Sequence, residues 1–198
     1  MVAEFPAAVT RAAEGECFYN GDFCCAQPGG FATERRCRAG ELYIVDAWVC
    51  YQGYWSDNCR TFPVTSIDDA QRKAWETTEQ TVLMAEQMVK PGVSCREVFY
   101  AMKAMQDGIK PNALIHHGGH GVGLRSHGYP RINPHFDDTF EAGNTITIEP
   151  GVYGKELRGG IRLEYNYLVT QEGVDRLNKF PISVPDRDDR HLGSRISD

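Results

Sequence analysis

The stretch Glu41 to Val64 constrains the fold more than any other part of the chain. Two runs rich in aromatic and β-branched residues flank Gln52-Gly53, a pair whose glycine accepts positive φ, so the segment reads as a β-hairpin. With Tyr51 facing Tyr54 across the turn, Val49 faces Ser56, Trp48 faces Asp57, and Ala47 and Asp46 face Asn58 and Cys59. Side chains alternate along a strand, so Asp46, Trp48, Asp57 and Cys59 project to one side. The two aspartates are then diagonal cross-strand neighbours with Cα atoms roughly 7–8 Å apart. Aspartate is depleted in strands, yet both interrupt runs that are otherwise apolar or aromatic. Two half-buried anions held that close repel and need a cation between them.

The rest of the chain limits what such a cation does. At 198 residues the protein is expected to form one domain, burying about 70% of its unfolded surface. A formal charge of −6 with no basic run argues against nucleic acid or an anionic membrane as the main partner. No apolar stretch approaches a membrane span, and Met1 to Thr10 lacks the charged start and apolar core of a secretion signal. A cytoplasmic, soluble protein is expected. Seven cysteines, an odd number, suit free thiols in a reducing compartment. A zinc knuckle from Cys17, Cys24, Cys25 and Cys37 is poorly supported, because no Cys-x-x-Cys pair is present.

Residues 1–40 read as irregular, with at most a short strand around Cys17 to Asn20. Ser66-Ile67-Asp68-Asp69 opens a helix whose inward face is Ala70, Ala74, Thr78, Val82, Ala85 and Val89 and which stops at Lys90-Pro91-Gly92. Ser94-Cys95-Arg96-Glu97 reads as a capping box for a second helix, with Val98, Met102 and Met105 inward and Gly108 as its stop. These Met and aromatic positions are core rather than cofactor contacts.

From Ala113 the texture changes. Four of the six histidines (His116, His117, His120 and His127) fall within twelve residues, and glycines around His120 permit tight backbone geometry. Thr145 to Glu149 reads as a strand ended by Pro150-Gly151, and residues 161–170 as another, with Arg162 and Glu164 on one face. Taken alone, that pair is an ordinary solvated strand face, whereas Glu149 inside an apolar strand is not. The segment 181–198 is expected to be a polar tail outside a core spanning 41–180.

Collected in order, Asp46, Asp57, His120, Glu149 and Glu164 give four carboxylates and one imidazole on rigid elements. Hard oxygen donors with one nitrogen suit manganese, iron, cobalt or zinc, and so many carboxylates suggest two divalent ions sharing ligands. Such a pair activates water and polarises a carbonyl, the chemistry of amide hydrolysis.

Here the chain resembles the pita-bread metallopeptidases, the family of methionine aminopeptidase, Xaa-Pro aminopeptidase, prolidase and the metal-free creatinase. That family places two Asp on a hairpin, a His in a glycine-rich segment, a Glu in Glu-Pro-Gly and a last Glu. Asp46, Asp57, His120, Glu149-Pro150-Gly151 and Glu164 match all five in order, from about Gly40 to Phe180. Asp57-Asn58-Cys59-Arg60-Thr61-Phe62-Pro63 is similar to the Asp-x-Thr-Arg-Thr-Phe segment of the proline-specific branch, with Cys59 in place of threonine. Gly160-Ile161-Arg162-Leu163-Glu164 resembles that branch's Gly-x-Arg-x-Glu. Creatinase-like members lack ligands that this chain keeps.

The resemblance implies an α+β pita-bread fold, a curved antiparallel sheet with helices on its outer face. It also implies a hydrolase of small peptides, an Xaa-Pro peptidase, with manganese as the expected ion and homodimers common. Asp46 would chelate one metal, Asp57 and Glu164 would bridge both, and His120 and Glu149 would complete the other. Glu149 would also carry the proton, His127 would stabilise the oxyanion, His116 would line the substrate pocket, and Arg162 would hold an aspartate such as Asp46.

Two departures accompany the match. The family's helical half-repeat before the first aspartate is longer than 45 residues, so the N-terminal half-repeat is expected to be incomplete or the chain a fragment. The family also usually has a substrate-facing histidine upstream of the first aspartate; here none precedes His116, and Gly29 or Gly30 falls near that place. These departures keep two alternatives open: a hydrolase of a non-peptide amide, like creatinase or ectoine hydrolase, and a catalytically silent metal-binding module.

Overall fold

A computed structural model describes residues 4–30 and 32–184. Its elements, in chain order, are helix α1 (Glu4–Ala12), strands β1 (Cys17–Cys25), β2 (Leu42–Tyr51) and β3 (Tyr54–Pro63), and helices α2 (Asp69–Met88) and α3 (Cys95–Asp107). Seven strands follow: β4 (Gly119–Gly121), β5 (Gly128–Ile132), β6 (Thr145–Ile148), β7 (Gly151–Gly154), β8 (Gly159–Arg162), β9 (Tyr165–Val169) and β10 (Val174–Arg176). They pair antiparallel as β1-β2-β3, as β10-β9-β6-β4-β5 and as β7-β8. No described helix is long and apolar enough to cross a membrane.

The β2–β3 hairpin has the predicted register, with Tyr51 opposite Tyr54, Trp48 opposite Asp57 and Asp46 opposite Cys59. Gln52 and Gly53 both take positive φ, 50° and 87°, matching the twist of a two-residue hairpin turn. Residues 1–40 depart from the expectation of irregular chain, because β1 runs for nine residues along β2 and α1 packs on it through Phe5 against Tyr19 and Phe23. The first half of β1 is largely exposed, so it shows no alternation to read.

Helix α2 starts at a capping box in which Asp68 accepts from Gln71 N and the Gln71 side chain returns to Asp68 N. It buries Ala74, Thr78, Val82 and Ala85 as expected, whereas Ala70 is exposed. Trp75 is buried against the chain's far end, its indole N–H donating to Ile182 O at 2.8 Å. Packing therefore continues past residue 180, and the part of the expected tail from 185 to 198 lies outside the described residues. Helix α3 begins after Ser94, but the serine makes no side-chain cap. Cys95 N donates to Asp138 O at 2.9 Å and Ser94 bridges Thr139, so a neighbouring segment takes over part of the capping.

The remaining correction positions the site. Residues 145–149 form the expected strand, β6, as far as Ile148, but 161–170 do not form one plain strand, because the chain breaks at Leu163-Glu164 between β8 and β9. Chain leaving β6 passes through Glu149-Pro150 into β7, and chain leaving β8 passes through Leu163-Glu164 into β9, so each glutamate lies where the backbone changes sheet. Proline has no N–H for a ladder, which helps end β6 there. Alternation along the sequence survives such a crossing and does not reveal it. Beneath the sheets, α2 packs on β6, β7 and β8 over a core containing Trp75, Phe140, Ile146, Ile148 and Tyr167. Each of these large side chains contributes about 1.5–3 kcal/mol by leaving water.

Candidate metal centre

Asp46 and Asp57 project from adjacent strands to one face, both buried, and each carboxylate feels the other's charge. His120 reaches them from β4, which is threaded closely between neighbours: a Cβ on Gly121 would meet Tyr129 O at 1.8 Å. His120 Nδ1 lies 3.0 Å from Gly121 O, leaving Nε2 to face Asp57 Oδ2 at 3.6 Å and Glu149 Oε1 at 3.1 Å. Thr147 ties strand to site, accepting from His120 N at 3.1 Å and donating to Glu149 Oε1 at 3.0 Å.

Glu164 is fully buried, and neither of its oxygens has a hydrogen-bond partner. Asp57 Oδ1 is buried without a hydrogen-bond partner as well, and buried His120 Nε2 approaches Glu149 and Asp57 without making a well-formed hydrogen bond to either. Buried polar atoms without partners are costly, and several converging on one spot fit a cation. Donor atoms of Asp46, Cys59 and Glu164 lie within 4.8 Å of one another; so do those of Asp57, His120 and His127, and of His116, His117 and Glu149. A donor set of carboxylates and imidazoles, with one thiol beside them, therefore fits divalent metal.

Electrostatics agree with that fit. Burial, reinforced by Asp46 and Glu149, pushes the Asp57 carboxyl up to about 11. Burial also raises Asp46, against the pull of Arg162, and raises Glu164 well above the carboxylate range with help from Asp57. Burial opposes the charge of Glu149 too, but His117 and His120 outweigh it and hold that carboxyl low. His120 is lifted to about 9 by Glu149 although burial opposes it, while burial drives His116 and His127 down to about 4. Acids driven toward protonation in this way are returned to carboxylates by a bound divalent ion.

Around these donors stand the other predicted residues. Arg162 places Nη2 2.5 Å from Asp46 Oδ2. His127 stacks on His120 at 4.0 Å and meets the edge of Trp48. His116 Nε2 is 2.8 Å from Tyr153 OH. Asp46, Trp48, His116, His127, Glu149 and Arg162 line a cleft of about 400 Å³.

Sequence reasoning missed three contributors. Asp22 lies opposite Asp46 and 3.1 Å from Arg162 Nη2, but it directly follows Asn20-Gly21, so no apolar run marked it in the sequence. His117 sits 3.6 Å from Glu149 Oε1; it was visible in the histidine cluster, but nothing assigned it a direction. Tyr153 joins His116 to Arg162, and no sequence pattern marked it. The suspected knuckle cysteines are all free, and none of them falls in a metal-sized cluster among the described residues.

With this geometry in hand, comparison with known proteins is direct. The sequence model of metallopeptidase family M24 matches residues 12–171. A curated Xaa-Pro dipeptidase from Pyrococcus furiosus is 36% identical over 155 residues, 78% of this chain and 44% of that protein. Its counterpart from Pyrococcus horikoshii is 33% identical over 186 residues, covering 89% and 48%. Among solved structures, prolidase from Pyrococcus furiosus superposes with a TM-score of 0.84 at 30% identity, covering 90% of this chain and 54% of that one. Zinc-substituted Escherichia coli aminopeptidase P in complex with product gives 0.64 at 26% identity, covering 72% and 39%. The chain spans about half the length of the curated relatives it matches. These neighbours bear out the α+β pita-bread expectation.

Proposed function

Because the chain belongs to metallopeptidase family M24, we propose that it hydrolyses the bond between an N-terminal residue and proline in a small peptide, using two divalent cations. The observation that carries this reading is the burial of Asp46, Asp57, His120, Glu149 and Glu164 side by side: His120 Nε2 lies 3.1 Å from Glu149 and 3.6 Å from Asp57, and Glu164, with neither oxygen partnered, groups with Asp46. Those five residues would hold the ions, with manganese the first choice for so oxygen-rich a set. When bound, the ions supply a nucleophilic water at neutral pH and polarise the scissile carbonyl.

The chain's own residues do the rest. Glu149, whose Oε1 accepts from Thr147, takes the proton of the attacking water and delivers it to the leaving proline nitrogen. His127, at the cleft wall, donates a hydrogen bond to the oxygen on which negative charge develops. His116, fixed by Tyr153, borders the space that the peptide occupies. Arg162 fixes Asp46, so that this carboxylate keeps one orientation through turnover.

One observation favours a second reading, hydrolysis of a non-peptide amide. Gly29 stands at the cleft wall, where a Cβ would come 2.9 Å from Asp22 Oδ2, so the wall there presents a carboxylate and no imidazole. Metal content and hydrolysis of Xaa-Pro dipeptides, measured on purified protein with and without chelator and with Asp57→Ala as control, separate the readings. Two ions and metal-dependent release of proline support the first. Metal binding with turnover only of other amides supports the second. Metal binding with no turnover leaves a silent binding module.

A further inference from the structure

We propose that Cys59 is a sulfur donor to the cation held by Asp46 and Glu164, so that this centre prefers thiophilic ions more strongly than its carboxylates would dictate; the inference rests on the metal reading above. Position comes first. Cys59 is two residues after Asp57 on β3 and directly opposite Asp46 on β2, so the hairpin turns its thiol to the same face as both acids. Its exposure is 0%, and its Sγ lies with donor atoms of Asp46 and Glu164 inside a 4.8 Å group. The independent sign of a ligand is Glu164, at 0% exposure with two oxygens lacking any partner.

The surroundings of the sulfur suit coordination. Arg162 Nε donates to Cys59 Sγ at 3.3 Å, the kind of N–H···S contact that orients a metal thiolate and offsets its charge. The thiol donates to Arg162 O at 3.6 Å, an ordinary length for sulfur, and because S–H is a weak donor only a weak hydrogen bond is given up when its proton leaves. On binding, the S–H bond gives way to a sulfur–metal bond, and the proton passes to bulk water. Arg162 thus holds two neighbouring donors, Asp46 through Nη2 and Cys59 through Nε. A soft anionic sulfur among hard oxygens raises affinity for cobalt, zinc and cadmium relative to manganese.

Cobalt titration of the metal-free full chain tests this. We expect sulfur-to-cobalt charge-transfer absorption in the near ultraviolet, growing as the first ions bind. Cys59→Thr should abolish it while binding as much cobalt, and should narrow the cadmium-over-manganese preference by roughly tenfold. The neighbouring Cys24→Ser and the exposed Cys37→Ser should keep the band. Cobalt bound without the band in the parent, or a band that survives Cys59→Thr, overturns the inference and leaves the metal centre standing. A chain that binds no cobalt overturns both. Should Cys59→Thr fail to fold, Cys59→Ser serves, and the parent spectrum alone still decides the first outcome.

Discussion

Asp22 stands directly opposite Asp46 in the β1–β2 ladder, and both carboxylates reach one nitrogen, Nη2 of Arg162, at 3.1 and 2.5 Å. A guanidinium shared in this way offsets the repulsion between two acids, cancelling one of their two charges, and holds Asp46 on the side of the donor cluster. Like charges directly opposite on neighbouring strands repel, so the pair depends on the arginine.

Replacing Arg162 by Met removes that cation from a buried site. Stability of the metal-free protein should fall by about 3 kcal/mol, measured by urea unfolding, because two acids are left facing each other. Metal affinity, read by calorimetry, should weaken by roughly 10- to 100-fold. Adding Asp22→Asn should recover part of the stability loss; no recovery would mean that Asp22 and Asp46 do not share the guanidinium.

His127 touches the proposed reaction through its ring, stacked on His120 and outside the five-residue donor set. His127→Ala should therefore lower kcat by roughly 10²- to 10³-fold with metal stoichiometry unchanged. Loss of an ion in that variant would make it a ligand instead.

Gly121 bears on geometry rather than chemistry. A methyl group there meets the Tyr129 carbonyl at 1.8 Å, and backbone gives way only by moving β4 from β5. Gly121→Ala should cost more than about 2 kcal/mol and weaken metal binding together with it, because His120 moves with the strand. Unchanged melting and metal content would contradict the close approach.

Away from the site, Glu41 provides a pH test. Arg35 at 2.8 Å, helped by Arg38 N–H and the Cys25 thiol against the effect of burial, lowers its carboxyl from 4.5 to about 2. A carboxyl lowered on folding stabilises the native state above its unfolded pKa, and that stability is lost as pH falls toward the folded value. The parent should therefore lead Glu41→Gln in urea midpoint at pH 5, with the gap closing between about pH 4.5 and pH 2. A gap that is constant across this range would remove the charge from the explanation.

Much of the site was legible because its parts are local. The hairpin register follows from a two-residue turn and a strand period of two, and this alone puts Asp46, Asp57 and Cys59 on one face. His120 announced itself by its glycines, and Glu149 by sitting in an apolar strand. Asp22 was hidden because β1 is an edge strand with a largely exposed first half, and hydrophobic alternation marks only half-buried strands. Ser94 was misread because a cap motif states what a helix end needs, while Asp138, more than forty positions away, took over one of those bonds.

By itself, then, the sequence determined which donors exist, the spacing that sets two of them side by side, and the charge conflict that calls for a cation. Only the tertiary structure decided that the backbone changes sheet at Glu149 and Glu164, which brings both carboxylates to the hairpin face, and that Arg162 serves Asp22, Asp46 and Cys59 together. The reason is physical. Local propensity fixes which way a side chain points within its own strand, whereas meeting a group a hundred positions away depends on how separate sheets pack, and no short pattern encodes that.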